Sequence, residues 1–278
     1  MKDILFNYYD LNIENINSYG DNYLFFIDGK KYYLMKTDYD EKRVNLLDKE
    51  IKMLHGKNIM VHTLVKNKND SYISNGYILM KVNAFGDDIS LYDIKLFNSI
   101  ESNKIKNYVN MNDFWYRKLD YLEKQRYELS TNNLINNSFD YFLGVSELLL
   151  KNLSNNYGNT RITLSHKSLN SIKVIDYYNP FNIVYDVWLK DIGYYIKYTH
   201  NYVILDDYID KINKYELNYL FTRLCFPFEY FNEVSDILVD NKQERSLLNI
   251  VNRIDLYEKH LFNMEHIFNI YLFKWLKK

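Results

Sequence analysis

The sequence predicts an α+β fold in which a small, strand-rich segment precedes a larger helical one. Roughly the first eighty residues carry aromatic-rich runs joined by turn dipeptides, whereas apolar residues recur at helical spacing from Ser90 onward. The 278 residues suffice for one large domain or two unequal lobes with a sizeable core. We place a small N-terminal lobe at 1–82 and a large helical C-terminal lobe at 83–278.

A small antiparallel sheet and one helix are predicted in the first lobe. The run NYLFFIDGKKYYLMK holds Asp28-Gly29 between aromatic-rich segments, and this dipeptide supplies the positive φ of a two-residue hairpin turn. Asn75-Gly76 marks a second turn in SYISNGYILMKV. Between the two hairpins, EKRVNLLDKEIKMLHG has apolar residues at helical spacing and ends in a glycine that favours a helix stop.

The second lobe is predicted to be mainly helical. The segments FWYRKLDYLEKQRYEL and SFDYFLGVSELLLKNL are amphipathic at the helical period. We expect further helices at 185–200, 214–224 and 245–276. The run TLS before His166 has the character of a short strand that leads into a loop.

Composition argues against several classes of protein. The 35 basic and 36 acidic residues leave a net charge of -1, so no global field attracts nucleic acid or acidic membranes. The N-terminus lacks the apolar core of a signal peptide, and no apolar run is long enough to span a membrane. We therefore expect a soluble protein that is cytoplasmic at synthesis. The single cysteine, Cys225, excludes an intramolecular disulfide and lies among bulky apolar residues, which favours an inert buried thiol.

Two charged residues of the first lobe form a candidate phosphate-binding pair. Lys36 ends the strand-like run YYLMK, and Glu50 lies in the following helix. A lysine on a sheet and a glutamate on a helix can pair so that the ammonium points at the phosphates of a nucleotide. Alternatively, Lys36 is a solvated strand end and Glu50 is a charge on the helix surface. The spacing alone favours this alternative.

A candidate metal ligand follows the strand-like run NIVYD. Asp186 ends that run, where a magnesium-binding carboxylate commonly lies, or it caps the helix in WLKDIGYYIK. The six histidines show no HxH or HxxxH spacing, so zinc is not expected. No GxSxG, GxxxxGK[ST] or GxGxxG motif occurs, and any nucleotide site must lack a glycine-rich phosphate loop.

Several segments, taken in order along nearly the whole chain, carry a family resemblance. They are KKYYLMK, KNDSYISNGYILMKVNAFGDDIS, FWYRKLDYLEKQRYEL, NSFDYFLGVSELLL, TLSHKSL, YYNPFNIVYDVWLKDIGYYIK, and the tail with TRLCFPFEYF and FKWLKK. In this order they resemble the spore-coat-associated, CotS/YutH-type branch of the aminoglycoside phosphotransferase-like kinases. The resemblance implies a two-lobed protein-kinase-like fold, with ATP and Mg²⁺ as ligands.

The resemblance also implies roles for individual residues. Lys36 matches the phosphate-contacting lysine of the family, and Glu50 matches its helix partner, with Glu41 as the alternative. Asp186 matches the metal-binding aspartate. Asp191 matches the aspartate that helps to fix the catalytic loop in relatives.

The catalytic loop departs from the family pattern, in which a histidine, a small residue and an aspartate are followed by an asparagine. His166 keeps the loop-anchoring position, but Ser168 stands where the aspartate would be and Lys173 where the asparagine would be. A serine is neutral near pH 7 and cannot act as the general base, whose assistance is typically worth about 10²–10⁴-fold in rate. The missing asparagine removes a magnesium ligand. Asp176 or Asn170 would have to substitute in a rebuilt loop.

We therefore expect a catalytically impaired kinase-like protein, or pseudokinase, that acts as a binding or scaffold component in spore assembly. Its expected partners are a nucleotide and spore-coat proteins, and its destination is the spore coat. One alternative is an active ATP-dependent phosphotransferase, for a small molecule or a protein, with a rearranged catalytic loop. Another is a structural interaction protein that binds no nucleotide.

Overall fold

The computed structural model describes residues 1–84, 86–102, 111–129, 132–154, 160–169, 171–240 and 243–276. The α-helices are α1 (Lys2–Tyr9), α2 (Glu41–His55), α3 (Leu91–Asn98), α4 (Met111–Leu129), α5 (Asn133–Ser154), α6 (Val174–Tyr177), α7 (Lys190–Thr199), α8 (Lys214–Cys225), α9 (Phe228–Asp240), α10 (Arg245–Val251) and α11 (Ile254–Phe268). The strands are β1 (Asn17–Tyr19), β2 (Asn22–Ile27), β3 (Lys30–Lys36), β4 (Thr63–Val65), β5 (Ile73–Ser74), β6 (Tyr77–Lys81), β7 (Ile162–His166) and β8 (Ile183–Val187). Single 3₁₀ turns include Pro180–Asn182 and Lys274–Leu276.

Six strands form one antiparallel sheet in the order β1-β2-β3-β6-β4, with β5 also paired to β6. Both hairpin turns lie where the sequence predicts them. Asp28 and Gly29 have φ angles of 48° and 70°, and Asn75 and Gly76 have φ angles of 52° and 77°. This left-handed backbone matches the twist of paired strands, so the two dipeptides fix the register of the sheet.

The chain divides into two compact units. The first comprises Met1–Ile100 and Leu164–Val184, and the second comprises Glu101–Thr163 and Tyr185–Lys278. The six-stranded sheet belongs to the first unit, and the helices α4, α5 and α7–α11 belong to the second. The strands β7 and β8 form a separate two-stranded sheet, and the boundary between the units falls within both. The lobe boundary at 82/83 stays a prediction.

The helix α1 was not predicted from the sequence. Its Leu5 is fully buried in an apolar cluster with Ile13, Phe25, Leu34 and Leu79, which come from the following loop and from three strands. Eight residues are too few for a stable isolated helix, so this packing against the sheet stabilises α1.

The helix α2 agrees with the prediction. The Asp40 side chain accepts a hydrogen bond of 2.7 Å from the Arg43 backbone and so caps the helix start. Val44, Ile51 and Leu54 are buried on one face. The helix ends in right-handed conformation at its C-cap glycine, and not in the left-handed conformation that glycine usually supplies at that position.

The second unit corrects two predicted helix ranges. The range 185–200 begins in the strand β8, and α7 starts only at Lys190. The range 245–276 is broken into α10, α11 and a final 3₁₀ turn. The buried Glu265 carboxylate accepts backbone hydrogen bonds from Leu272 at 2.5 Å and Phe273 at 2.6 Å, which turns the chain after α11.

Cys225 is fully buried at the end of α8, as expected. Burial raises the pKa of its thiol well above the usual range, so the thiolate needed for nucleophilic reactions is disfavoured. Among the helices in the described ranges, none is both long and apolar enough to cross a membrane.

Candidate functional site

His166 closes β7 at the start of the loop that the sequence resemblance aligns with a catalytic loop. Its ring is fully buried, with centres 5.1 Å from the Phe97 ring and 4.1 Å from the Tyr177 ring. The His166 Nε2 atom lies 2.6 Å from the Tyr177 carbonyl oxygen. A carbonyl oxygen only accepts, so this nitrogen carries the proton. The contact ties the end of β7 to α6.

Ser168 is exposed, and its backbone rather than its hydroxyl fixes the loop. The Ser168 N–H donates to the Asn182 side-chain oxygen at 3.3 Å, and the Asn182 side-chain nitrogen donates to the Ser168 carbonyl. The adjacent Lys167 N–H donates to the Asn182 carbonyl at 2.8 Å. In the described part of the chain, the Ser168 hydroxyl has no hydrogen-bond partner that could activate it.

The Lys173 ammonium contacts the Asp88 carboxylate, which lies in the same unit. It forms an ion pair of 2.7 Å with Asp88, and both side chains are about half exposed. An ammonium has no acceptor atom, so Lys173 cannot supply the metal ligand that an asparagine would offer at this position. Asn170, the other candidate substitute, lies outside the described residues.

Asp176 is the only acidic residue between 167 and 182, and its side chain is partly buried. Its Oδ2 atom accepts a hydrogen bond of 2.7 Å from the Tyr19 hydroxyl and another from the Ser171 hydroxyl. Tyr19 ends β1, so the β1–β2 turn is fastened to α6. Both hydroxyl groups donate to Oδ2, so this oxygen is already engaged, whereas Oδ1 makes no hydrogen bond in the described part of the chain.

A second tyrosine lies beside this contact. The Tyr33 ring meets the Tyr19 ring edge to face at 6.1 Å, and its hydroxyl accepts a hydrogen bond of 2.8 Å from Asn22. Burial, followed by the negative charge of Asp176, raises the pKa of the Tyr33 hydroxyl well above its usual range. The predicted site residues did not include these tyrosines, because no local pattern joins β1 and β3 to a residue in α6.

The structure does not bring Lys36 and Glu50 together. Both side chains are exposed, and within the described ranges neither forms an ion pair. Side chains alternate along a strand, so Lys36 lies on the face of Leu34, which packs towards α1. Contact of Lys36 with a phosphate, and of Glu50 with Lys36, stays a prediction.

The opposite face of β3 carries Lys31, Tyr33 and Met35. This face meets the segment after β7. The Asn179 amide nitrogen lies 3.6 Å from the Met35 sulfur, and the negative charge of Asp176 contributes to the raised pKa of Tyr33. Lys31 is therefore a further lysine to consider as a phosphate contact, and the alternation in KKYYLMK is the signal that could have found it.

Glu41, the alternative helix partner, is engaged elsewhere. Its two oxygens accept hydrogen bonds of 2.8 Å each from the Ser71 hydroxyl and the Tyr72 N–H. Glu41 therefore closes the loop before β5 onto the start of α2. This role is structural, and each of the two oxygens already accepts one hydrogen bond.

Asp186, in the second unit, forms an ion pair with Lys190. The distance is 2.6 Å, and only 17% of the Asp186 side chain and 14% of the Lys190 side chain are exposed. The other Asp186 oxygen accepts a hydrogen bond of 2.7 Å from the Val187 N–H. Leu189 occupies the N-cap position of α7, so Asp186 does not cap this helix.

Asp191 lies in the first turn of α7 and is 2% exposed. The pKa of the buried Tyr219 hydroxyl on α8 is raised mainly by burial. The negative charge of Asp186 raises it further, and Asp191 makes a smaller contribution. The two carboxylates and Tyr219 thus share one region of the second unit. The role of Asp191 in fixing a catalytic loop stays a prediction.

The Asp186 carboxylate is engaged by groups of this chain and is not an open site for a magnesium ion. In the described ranges, no three His, Cys, Asp or Glu side chains converge on a point that could hold a metal. The two Asp186 oxygens are already engaged by an ammonium and a backbone N–H. A divalent cation would have to displace a positive charge from a largely dehydrated carboxylate, which is unfavourable.

Comparison with solved structures shows what this architecture is. An aminoglycoside phosphotransferase from Alicyclobacillus acidocaldarius superposes with a TM-score of 0.57 at 12% identity, covering 94% of this chain and 94% of its own. An AMP-bound spectinomycin phosphotransferase gives 0.56 at 12% identity, with 97% and 96% coverage. The chain has the aminoglycoside phosphotransferase fold. An amicoumacin kinase with AMP-PNP and Ca²⁺ also has this kinase-like fold, at a TM-score of 0.50 and 11% identity over 91% of this chain and 87% of its own.

The phosphotransferase fold is shared without close sequence similarity. No protein-family model and no curated protein sequence matches the chain. At 12% identity the likeness to the solved structures establishes the fold, and the chemistry must be argued from this chain's own residues.

Proposed function

We propose that this protein is a catalytically impaired phosphotransferase-fold protein that acts as a binding or scaffold component. The observation that carries the proposal is the exposed Ser168, at the position where the sequence resemblance places the general base. A hydroxyl without a neighbouring base cannot take the proton of an acceptor alcohol at neutral pH.

The surrounding residues support the loss of catalysis. The one carboxylate of the segment after β7, Asp176, is hydrogen-bonded to two hydroxyl groups through one oxygen. Lys173 is paired with Asp88, and Asp186 is paired with Lys190. Phosphoryl transfer depends on positioning and on neutralising charge around the phosphates. Each family position that would contribute a base or a metal ligand is substituted or engaged elsewhere.

Binding of a nucleotide is part of the proposal. Solved structures with this fold contain AMP, ADP or AMP-PNP, the last with Ca²⁺. We extend nucleotide binding to this chain as a proposal, with Lys31 and Lys36 as candidate phosphate contacts.

A role in spore assembly, with spore-coat proteins as partners, is proposed from the sequence resemblance alone. A fluorescent fusion followed through sporulation in a spore-forming host tests it. We expect the fusion to accumulate at the developing coat, and uniform cytoplasmic fluorescence throughout would contradict the assignment.

An active phosphotransferase is the second candidate, and Asp176 is the observation that favours it. One oxygen of this carboxylate, Oδ1, makes no hydrogen bond in the described part of the chain. That oxygen is the only one in the segment that could serve as a base. The acceptor would then be an alcohol on a small molecule or a protein.

The deciding experiment combines ligand binding with turnover. Thermal unfolding with ADP and ATP, each with and without Mg²⁺, reports binding, because a ligand at 100 times its Kd stabilises by about 2.7 kcal/mol. We expect stabilisation by nucleotide but no release of ADP from ATP above the level of an Asp176→Asn variant. The matched control is Asp3→Asn, an exposed carboxylate on α1.

The outcomes separate the candidates. Turnover that is lost in Asp176→Asn but kept in Asp3→Asn establishes an active enzyme and refutes impairment. No thermal shift with any nucleotide supports instead a structural interaction protein with no nucleotide site.

A further inference from the structure

The ion pair between Asp186 and Lys190 joins two mostly buried charges. Their atoms lie 2.6 Å apart, and neither side chain is more than 17% exposed. A buried carboxylate needs a positive partner, because transfer of its charge from water is costly. Lys190 meets this need from within the chain.

A divalent cation would meet the same need and would use the same oxygens. Magnesium binds carboxylates in octahedral geometry with oxygen ligands close to the ion. The Lys190 ammonium sits on Oδ2, and the Val187 N–H donates to Oδ1 at 2.7 Å. An ammonium and a metal ion on one carboxylate repel each other, so they compete for it.

We propose that the Lys190 ammonium takes the place of a divalent cation at Asp186, so that an anionic ligand bound beside this carboxylate needs no metal. The ligand class is a phosphate-bearing molecule, and for a nucleotide this inference rests on the function proposed above. The fixed charge of Lys190 offsets the carboxylate that would otherwise repel the phosphates.

The position of Lys190 in the fold supports a fixed charge. It is the first residue of α7, and α7 packs directly on α8, where Gly193 lies against the Leu220 and Arg223 side chains. Both side chains of the pair are largely shielded from water, so separating them would leave a mostly buried carboxylate without a partner. The pair is therefore a built part of the second unit rather than a surface contact.

The test uses Mn²⁺ as a paramagnetic probe of the free protein. The Val187 amide donates to Asp186, so a Mn²⁺ ion on this carboxylate would erase the Val187 amide signal in a nitrogen-15 correlation spectrum. We expect the signal to survive millimolar Mn²⁺ in the wild type. We expect it to be lost in Lys190→Met and to survive again in Lys190→Met with Asp186→Asn.

The matched control is Lys190→Arg, which keeps the positive charge and should keep the Val187 signal. Loss of the signal in the wild type overturns the inference, and so does its survival in a folded Lys190→Met protein. If Lys190→Met does not fold, Lys190→Gln replaces it. Even if neither substitution gives a folded protein, survival of the Val187 signal in the wild type and in Lys190→Arg still tests whether Mn²⁺ is excluded from Asp186.

A second arm measures ADP binding by calorimetry in EDTA and in Mg²⁺. We expect the same Kd under both conditions, and a marked loss of affinity in EDTA would contradict metal independence. If ADP does not bind at all, the nucleotide part of the proposed function fails, whereas the Mn²⁺ result still decides whether Lys190 excludes a metal.

Discussion

The Tyr19 hydroxyl donates a hydrogen bond of 2.7 Å to Oδ2 of Asp176, across a separation of 157 residues in the chain. Tyr19 ends β1, and Asp176 lies in the short helix α6. The bond fastens the first strand of the sheet to the segment between β7 and β8. Closing so long a loop is entropically costly, so the contact needs support from neighbouring packing, which the Tyr33 ring supplies.

Replacement of Tyr19 by phenylalanine should lower the free energy of unfolding by about 1.5–3 kcal/mol, the range for a hydrogen bond to a charged group. Urea unfolding followed by circular dichroism measures the change. The matched control is Tyr23→Phe on β2, whose hydroxyl makes no hydrogen bond in the described ranges. Equal stability of Tyr19→Phe and Tyr23→Phe would show that the Asp176 contact does not stabilise the fold.

A double-mutant cycle isolates the pair itself. Tyr19→Phe should cost much less in an Asp176→Ala background than in the wild type, because the acceptor is gone. Additive effects of the two substitutions would indicate that each acts through other neighbours, such as Ser171 for Asp176.

Removal of Lys190 should destabilise the protein by about 3–5 kcal/mol, the usual cost of leaving one member of a buried ion pair without its partner. Lys190→Met should lose this amount in urea unfolding at neutral pH, and adding Asp186→Asn should recover much of it, since no unpaired charge then remains buried. A double variant no more stable than Lys190→Met would argue against a charge effect.

Stability should fall on mild acidification because of His62, which is fully buried. Its Nε2 donates to the Ile175 carbonyl at 3.0 Å, and Nδ1 has no partner in the described part of the chain. Burial lowers the pKa of His62 from 6.5 to about 4. The hydrogen bond to Ile175 opposes this shift, and the positive charge of Lys31 adds to it. The unfolded chain therefore binds a proton between these values that the folded chain does not.

Because the unfolded chain binds this proton more readily, acidification lowers the stability of the folded protein. Stability from the neutral His62 is fully present above pH 6.5 and is lost as the pH falls towards 4, by about 3 kcal/mol in total. Urea midpoints measured through this window should decline more steeply in the wild type than in His62→Gln, which keeps a donor for Ile175. Parallel declines would assign the acid sensitivity to other groups, among them His260, whose pKa burial also lowers.

Gly193 should not tolerate alanine. An added Cβ would lie 3.2 Å from both the Arg223 Cβ and the Leu220 Cδ1 atoms, where α7 meets α8. We expect Gly193→Ala to cost about 1–3 kcal/mol in thermal or urea unfolding. The matched control is Gly144→Ala in α5, where nothing lies within 4 Å and helix propensity should give a gain of up to about 1 kcal/mol.

Local patterns in the sequence predicted the elements that local physics stabilises. The turns at Asp28-Gly29 and Asn75-Gly76 need positive φ, and the helix α2 shows its buried face as a regular apolar spacing. The strand before His166 and the burial of Cys225 were also expected. In contrast, α1 depends on packing against the strands of the sheet, so the sequence pattern did not reveal it. The pattern also did not reveal the break between α10 and α11.

The features of the candidate site also fall into those that the sequence shows and those that only the structure shows. The sequence by itself determined that a serine and a lysine stand at 168 and 173, because those identities need no structure. That they take the place of a base and a metal ligand follows from the resemblance and stays a prediction. Only the tertiary structure decided that Tyr19 binds Asp176 and that Lys36 and Glu50 are exposed and apart. Hydrogen bonds and ion pairs depend on which side chains the fold brings within a few ångströms, and one-residue alternation on a strand is enough to send a lysine to the other face.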